Sequence, residues 1–119
     1  MYNNQLIGKI GENLACEFLK KEKYIIIERN FRCRQGEIDI ISTDIASREL
    51  VFLEVKTRTS LKYGNAAEAV DTLKRQHIYK CVEYYIYKNK IKNIPIRLDV
   101  IEIYIREGKF KINHIKQAF

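Results

Sequence analysis

The residues best suited to chemistry lie in two short charged segments on either side of a polar loop. The first reads G-E-I-D-I-I over residues 36–41, and the second reads L-V-F-L-E-V-K-T-R over residues 50–58. If they pair as antiparallel strands around residues 44–49, the numbers of paired residues add to 93 and Asp39 lies opposite Glu54. Residues directly opposite each other share a face, with Cβ atoms about 4.5 to 5.5 Å apart. The register therefore predicts two facing carboxylates.

The same register sorts the other side chains of this hairpin by their chemistry. The charged face also carries Glu37 opposite Lys56. The other face is aliphatic, and it pairs Ile38 with Val55 and Ile40 with Leu53. A slip of one residue would mix the two sets, so the pattern supports this register.

Two facing carboxylates repel each other and are costly to bury without compensation. Three kinds of compensation are open. Lys56 neutralises the pair as a structural ion cluster, one carboxyl group keeps a proton, or a divalent cation bridges both groups. Hard cations such as Mg²⁺ favour carboxylate oxygen. The hairpin alone leaves the structural and the metal interpretations equally open.

Glu12 is a third acidic candidate, at the border of the apolar face of a predicted N-terminal helix. Gly8 and Gly11 flank it. Glycine inside a helix costs about 1 kcal/mol relative to alanine, so two glycines need a reason. Close approach of the helix to a sheet beside Glu12 is one such reason. The alternative is that Gly8 lies in a frayed first turn and that Glu12 is solvated.

Hydrophobic periodicity predicts the elements that must position these residues. We expect helices over residues 4–22 and 66–89, where Asn65 and Glu68 resemble a capping pair at the start of the second helix. The predicted strands cover residues 24–29, 37–43, 50–57, 96–105 and 110–115. The order αβββαββ indicates an α/β protein with a mixed β-sheet flanked by helices.

Length and composition predict one globular domain over residues 1–119, with 22 Lys plus Arg against 15 Asp plus Glu and a net charge of +7. A disordered or collagen-like chain is excluded by this composition. The uninterrupted apolar runs are far shorter than the roughly 20 residues of a membrane span. The first twenty residues also lack the apolar core of a signal peptide. The positive charge favours an acidic partner such as nucleic acid only modestly.

Three cysteines, Cys16, Cys33 and Cys81, are widely spaced along the chain. No pair has the short spacing of a zinc site, and the odd number argues against a disulfide framework. We therefore expect reduced packing residues in a cytoplasmic protein.

Five motifs of this chain together have a specific order and spacing: G-K-I-G-E-N-L-A, R-Q-G-E-I-D-I-I, F-L-E-V-K-T-R, A-V-D-T-L-K-R-Q-H-I and R-L-D-V-I. They resemble the PD-(D/E)XK nuclease superfamily. The closer resemblance is to the YraN-like family of small bacterial proteins related to Holliday junction resolvases, and it covers nearly the whole chain. The resemblance implies a restriction-endonuclease-like core.

The resemblance also implies roles for individual residues. Glu12, Asp39 and Glu54 would hold Mg²⁺ or Mn²⁺, with the backbone carbonyl of Val55 as a further ligand. Lys56 would position or deprotonate the attacking water.

Two further residues take weaker roles from the same resemblance. Glu37 suits the YraN-like G-E-I-D motif and would support Lys56. Gln76 would reach the site, as a glutamine does in some branches, although the tyrosine those branches carry four residues later is Lys80 here.

Basic residues near these motifs are candidates for contact with a nucleic-acid backbone. Arg58 continues the strand face of Lys56, and Lys74 and Arg75 begin a basic stretch that extends to Arg97. The alternatives are an exposed arginine at a strand end and a solvated helix face.

The leading hypothesis is a metal-dependent endonuclease-like protein that hydrolyses DNA phosphodiester bonds, with branched or damaged DNA as the substrate class. DNA is preferred to RNA as the partner, and analogy with two-fold resolvases suggests a homodimer. One alternative is a non-catalytic nucleic-acid-binding or adaptor module with the same fold. Another is an interaction domain within a larger repair assembly.

Overall fold

Two helices and five strands make up the part of the chain that the computed structural model describes, residues 4–59 and 72–119. In chain order they are α1 (Asn4–Lys21), β1 (Tyr24–Cys33), β2 (Gly36–Asp44), β3 (Glu49–Arg58), α2 (Thr72–Lys88), β4 (Ile96–Arg106) and β5 (Lys109–Ile115). The predicted order αβββαββ is confirmed. The predicted start of the second helix at residue 66, with its capping pair, lies outside the described residues.

The strands form one mixed sheet in the order β1-β2-β3-β4-β5. Antiparallel pairing joins β1 to β2, β2 to β3 and β4 to β5, whereas β3 and β4 are parallel. Parallel neighbours need a long crossover connection, and the connection from β3 to β4 contains α2. The fold is therefore of the predicted α/β class and is consistent with a restriction-endonuclease-like core. No helix in the described ranges is both long enough and apolar enough to span a lipid bilayer.

Alternation along β3 divides the core between the two faces of the sheet. Leu50 and Phe52 join a cluster with residues of α2, whereas Val51 and Leu53 join a cluster with residues of α1. We call these the α2-side cluster and the α1-side cluster. Their helical members are Ile78, Cys81, Val82 and Tyr85 in the first and Ala15, Cys16 and Leu19 in the second. Each helix thus covers one face.

The register of the charged hairpin is confirmed over the part that forms a ladder. Cα partners run from Ile40 with Leu53 to Asp44 with Glu49, and the numbers in each pair add to 93 as predicted. Both strands continue beyond the Ile40–Leu53 pair, yet this ladder contains no later pair. β2 and β3 therefore separate at Asp39.

One detail of the predicted hairpin is wrong, because Ile38 and Ile40 do not share a face. Ile38 packs in the α2-side cluster and Ile40 in the α1-side cluster. The β1–β2 ladder pairs residues on either side of Asp39 but omits the pair of Asn30 with Asp39. Asn30 has a φ of 53°, in the left-handed region that is uncommon for a residue other than glycine. The two-residue alternation of β2 is thus reversed at Asp39, beside this irregularity of β1.

The cysteine prediction is wrong for two of the three residues. Cys33 at the end of β1 and Cys81 in α2 form a disulfide bond, with an S–S distance of 2.28 Å and a Cα–Cα distance of 5.9 Å. That Cα separation lies within the usual range for disulfides. The two residues are 48 positions apart in sequence, so only the packing of α2 on the sheet brings them together. Cys16 is a buried free thiol, as predicted.

A buried arginine organises the end of the sheet opposite to the strand separation. Arg97 donates to Asp99 at 2.9 to 3.1 Å, to Asp44 at 3.0 Å, to Glu49 at 2.8 Å and to the hydroxyl of Tyr24 at 2.6 Å. Burial opposes ionisation of Asp99 and Asp44, but hydrogen bonds outweigh it and lower the pKa of both carboxyl groups. Arg97 is therefore the partner that all three carboxylates share, while Asp99 also contacts Nε2 of His114 at 2.7 Å.

We expect Arg97→Met to lower the free energy of unfolding at pH 7 by about 3–5 kcal/mol, because it removes the guanidinium that buried carboxylates share. The native pKa values of Asp44 and Asp99 lie below the unfolded value of about 3.9, so this stabilisation is present above that pH and is lost below it. Urea denaturation at pH 7 and pH 3 would show the difference shrink in acid. A difference that stays constant with pH would contradict the role of the ion network.

The two glycines of α1 differ in what surrounds them. A Cβ atom at Gly11 would lie only 1.8 Å from Oγ1 of Thr57 on β3, whereas one at Gly8 would meet no atom within 4 Å. The predicted close approach of helix to sheet is therefore confirmed at Gly11. No such contact explains Gly8.

We expect Gly11→Ala to destabilise the protein by about 1–3 kcal/mol, because the added methyl group overlaps β3. Gly8→Ala is the matched control, and it should stabilise the helix by about 0.5–1 kcal/mol. Urea denaturation of both variants measures these changes. Equal effects of the two substitutions would contradict the close contact at Gly11.

Candidate active site

A cavity of about 340 Å³ opens where β2 separates from β3, beside the first half of α1. Its lining brings together five of the residues that the sequence predicts for the site. The lining residues are Ile7, Gly8, Glu12, Asn30, Glu37, Asp39, Val55, Lys56 and Thr57. The predicted constellation thus surrounds a single space, with Glu54 beside Lys56 on the adjoining strand.

Asp39 occupies the position at which the ladder fails. Its Oδ2 atom accepts the amide N–H of Val55 at 2.8 Å, so the side chain satisfies a strand amide. Burial raises the pKa of Asp39 to about 7, repulsion from Glu54 adds to the rise, and the hydrogen bond from Val55 opposes it. The surroundings of Asp39 therefore disfavour its charged form.

Glu54 is buried, and the ammonium groups of two lysines lie near one of its carboxylate oxygens. Its Oε1 atom lies 2.6 Å from Nζ of Lys74 and 3.7 Å from Nζ of Lys56. Burial and the neighbouring Lys74 lower the pKa of Lys56. Burial also opposes the charge of Lys74, but its hydrogen bond to Glu54 outweighs this and raises the pKa of Lys74. Lys74, which the sequence suggests for nucleic-acid contact, is thus held at the acidic pair.

Glu12 faces the cavity but is not solvated, so that alternative is wrong. Its Oε1 atom accepts hydrogen bonds from Arg29 at 3.0 and 3.1 Å and from Asn30 at 2.9 Å. Arg29 also donates to Asn13 at 2.7 Å. The sequence alone does not signal Arg29 or Asn30, because their roles depend on how β1 passes α1. The acidic helix residue is therefore anchored to β1 at the rim of the cavity.

The remaining predicted residues divide into those near the cavity and those outside it. Glu37 lines the cavity and pairs with Arg32 at 3.2 Å, with both side chains well exposed. Arg75 is half-buried and Gln76 is exposed in the first turns of α2. Neither appears among the described residues that line the cavity.

Arg58 lies beside a buried glutamate, Glu102, that no sequence motif indicates. Its Nε atom lies 3.9 Å from Oε2 of Glu102, which is 1% exposed. Glu102 also accepts a hydrogen bond from Asn113 at 2.9 Å and another from the hydroxyl of Tyr104. The parallel pairing of β3 with β4 sets Glu102 beside Lys56. Only the strand order, which a single sequence does not reveal, could have signalled this placement.

The donor set of the cavity suits a hard cation that keeps part of its water shell. Within residues 4–59 and 72–119, no group of three acidic, histidine or cysteine side chains is arranged around a common metal position. Asp39 and Glu54 nevertheless supply neighbouring oxygen donors, and burial together with their mutual repulsion raises the pKa of Asp39. Mg²⁺ is often bound through one or two carboxylates together with waters and substrate phosphates. The residues therefore fit Mg²⁺ or Mn²⁺ in that manner, without a preassembled three-carboxylate cage.

We expect Asp39→Asn to raise the free energy of unfolding at pH 8 in metal-free buffer by about 2–4 kcal/mol. Asparagine keeps an oxygen for the Val55 amide and removes the buried charge. The native pKa of about 7 lies above the unfolded value, so in the unmodified protein stability falls as pH rises toward 7. Urea denaturation should therefore show a smaller gain at pH 5 than at pH 8. Glu17→Gln, at an exposed position of α1, is the control, and a gain that does not change with pH would contradict this account.

Comparison with known proteins identifies the family to which this chain belongs. Residues 11–103 match the description "Uncharacterised protein family UPF0102". A UPF0102 protein of Caldicellulosiruptor bescii is 49% identical over 121 residues, covering 98% of this chain and 99% of the relative. The UPF0102 protein of Caldicellulosiruptor saccharolyticus is 44% identical over 119 residues, with 98% and 99% coverage. The chain therefore belongs to the UPF0102 family, which is the YraN-like family that its motifs resemble.

Proposed function

We propose that this protein is a metal-dependent endonuclease-like phosphodiester hydrolase that acts on DNA. The observation that carries the proposal is the cavity in which Asp39 lies beside Glu54 and Lys56 at the separation of two strands. Perturbed titratable groups in a cleft are typical of functional sites. Branched or damaged DNA is the substrate class that the resemblance to resolvases favours.

Asp39 and Glu54 would hold Mg²⁺ or Mn²⁺, and the backbone carbonyl of Val55 would add a further oxygen donor. When bound, the cation lowers the pKa of a bound water and offsets charge on the scissile phosphate. Val55 would thus serve the site twice, because its amide already fixes the Asp39 carboxylate at 2.8 Å.

Lys56 is the residue of the site best suited to proton transfer or charge stabilisation. It lines the cavity, and burial together with Lys74 lowers the pKa of its ammonium group. A lysine in such surroundings can position the attacking water, take its proton or stabilise the developing negative charge.

Glu12 and Glu37 would act at the rim of the cavity. Glu12 is held by Arg29 and Asn30, and one of its oxygens is not used in those hydrogen bonds. It would bind the hydrated cation through that oxygen. Glu37 lies on the cavity wall and would tune the charge around Lys56.

Nucleic-acid contact would come from basic side chains around this cavity. Arg58 lies on the same strand face as Lys56, and Lys74 and Arg75 occupy the first turn of α2. The net charge of +7 favours a polyanionic partner. Gln76, one residue further along α2, would reach the site only with bound substrate. We also propose a homodimer, by analogy with two-fold resolvases, and action in the cytoplasm, where the Cys33–Cys81 bond would be reduced.

The second candidate function is a nucleic-acid-binding or adaptor module without turnover. It is favoured by one observation, namely that the described residues hold no preassembled group of three metal ligands. A site of this kind would bind DNA through its basic residues and would not depend on Asp39.

The test is cleavage of linear, nicked and four-way DNA by the purified protein with Mg²⁺ or Mn²⁺. We expect Asp39→Ala and Lys56→Ala each to reduce the cleavage rate by about a hundredfold or more, because they remove a metal ligand and the lysine beside it. Glu83→Gln, at an exposed position of α2, is the matched control and should cleave normally.

The outcomes separate the two candidate functions. Cleavage that survives Asp39→Ala would rule out catalysis at this cavity. Salt-dependent DNA binding that survives Asp39→Ala, with no cleavage at any metal concentration, would support the binding module instead.

A further inference from the structure

The first turn of α2 carries a lysine that occupies a buried carboxylate of the candidate active site. Nζ of Lys74 and Oε1 of Glu54 are 2.6 Å apart, close to the roughly 2.7–2.9 Å of a charge-assisted N–H···O bond. The Glu54 side chain is only 8% exposed, whereas that of Lys74 is 38% exposed. The contact therefore joins a fixed acid to a lysine that still reaches solvent.

Two positively charged groups surround the single negative charge of Glu54. Lys56 approaches the same Oε1 atom at 3.7 Å, so two ammonium groups share one oxygen. By contrast, the ion pairs formed within residues 4–59 and 72–119 include none at Asp39. The cationic charge at the acidic pair is thus concentrated on Glu54 by a residue from another element.

We propose that Lys74 is an internal counter-ion of Glu54 that competes with the divalent cation for this carboxylate and so sets the metal affinity of the site. The inference rests on the proposed function, because it takes Glu54 as a metal ligand. When the cation binds, Lys74 leaves Oε1 of Glu54, and its ammonium group becomes available to a phosphate of the substrate.

Lys56 and Lys74 differ in how readily each can leave Glu54 when the cation binds. Lys56 belongs to β3, next to Val55, whose amide is bound by Asp39, and its side chain is 23% exposed. Lys74 is more exposed and lies within the first turn of α2 and not in the sheet, so its release from Glu54 leaves the strand pairing of β3 intact. An ammonium and a divalent cation on the same oxygen repel each other strongly at low dielectric. The exchange therefore displaces Lys74 and leaves Lys56 in place.

The direct test is binding of Mn²⁺ to the metal-free protein, followed by electron paramagnetic resonance of the free ion and without any DNA. We expect Lys74→Gln to bind Mn²⁺ about tenfold more tightly than the unmodified protein, because the competing charge is gone. Lys80→Gln removes the same charge from an exposed position of the same helix and should leave the affinity unchanged. Thermal unfolding of each variant checks that it is folded, and Glu54 retains Lys56 as its counter-ion in Lys74→Gln.

A second measurement follows Lys74 in the unmodified protein. In protein with ¹³C-labelled lysine, the ¹³Cε resonance of Lys74, assigned by its absence in Lys74→Gln, should shift as Mg²⁺ is added. The shift should be absent in Asp39→Ala, which weakens the metal site without touching Lys74.

The outcomes distinguish this inference from the proposed function. If Mn²⁺ binds in an Asp39-dependent manner but Lys74→Gln binds no more tightly, the competition is refuted and the metal site stands. Weaker binding by Lys74→Gln would refute it as well. If no variant binds Mn²⁺ in an Asp39-dependent manner, the proposed metal site fails, and the competition fails with it.

Discussion

The candidate site depends on one hydrogen bond, in which a side-chain carboxylate replaces the backbone acceptor that a neighbouring strand would normally provide. Where β2 and β3 separate, the Asp39 carboxylate accepts the Val55 amide that would otherwise lose its partner. Unpaired buried amides are costly, so the open end of the sheet is tolerable only with such a substitute. The same bond holds the carboxylate in a cleft beside Glu54, where burial and then repulsion raise its pKa. The hydrogen bond that satisfies the Val55 amide is therefore also the one that holds a carboxylate with a raised pKa in the site.

Because the sheet is open at this point, side chains from both of its faces reach the acidic pair. Glu12 comes from α1 on one face and is anchored by Arg29. Lys74 comes from α2 on the other face and is bound to Glu54. A continuous ladder would keep these two sets apart, since alternate residues of a strand point to opposite faces. At Asp39, where the alternation reverses, α1 therefore lines the cavity while α2 supplies the lysine bound to Glu54.

The elements and the hairpin register were predictable because they depend on local periodicity and on a sharp division of charged from aliphatic positions. The separation of β2 from β3 was not predictable from that pattern, since Ile38 fits the aliphatic face as well as Ile40 does. It coincides with the left-handed conformation of Asn30 on a third strand, which the pattern of β2 and β3 does not signal. The partners of Glu54 and Arg58 were hidden for a similar reason. Lys74 and Glu102 reach them only through the crossover and the parallel pairing of β3 with β4.

The bond between Cys33 and Cys81 has a consequence for the topology of the chain. It closes a covalent loop of 48 residues that contains the whole of β2 and β3 and the first turns of α2. While the bond is intact, a single backbone cut between the two cysteines leaves both fragments attached to each other. In the chain-entropy description, a crosslink of this span disfavours the unfolded ensemble by roughly 4 kcal/mol. The catalytic candidates of the hairpin and Lys74 thus belong to one closed ring, and that ring opens to a linear chain wherever thiols are kept reduced.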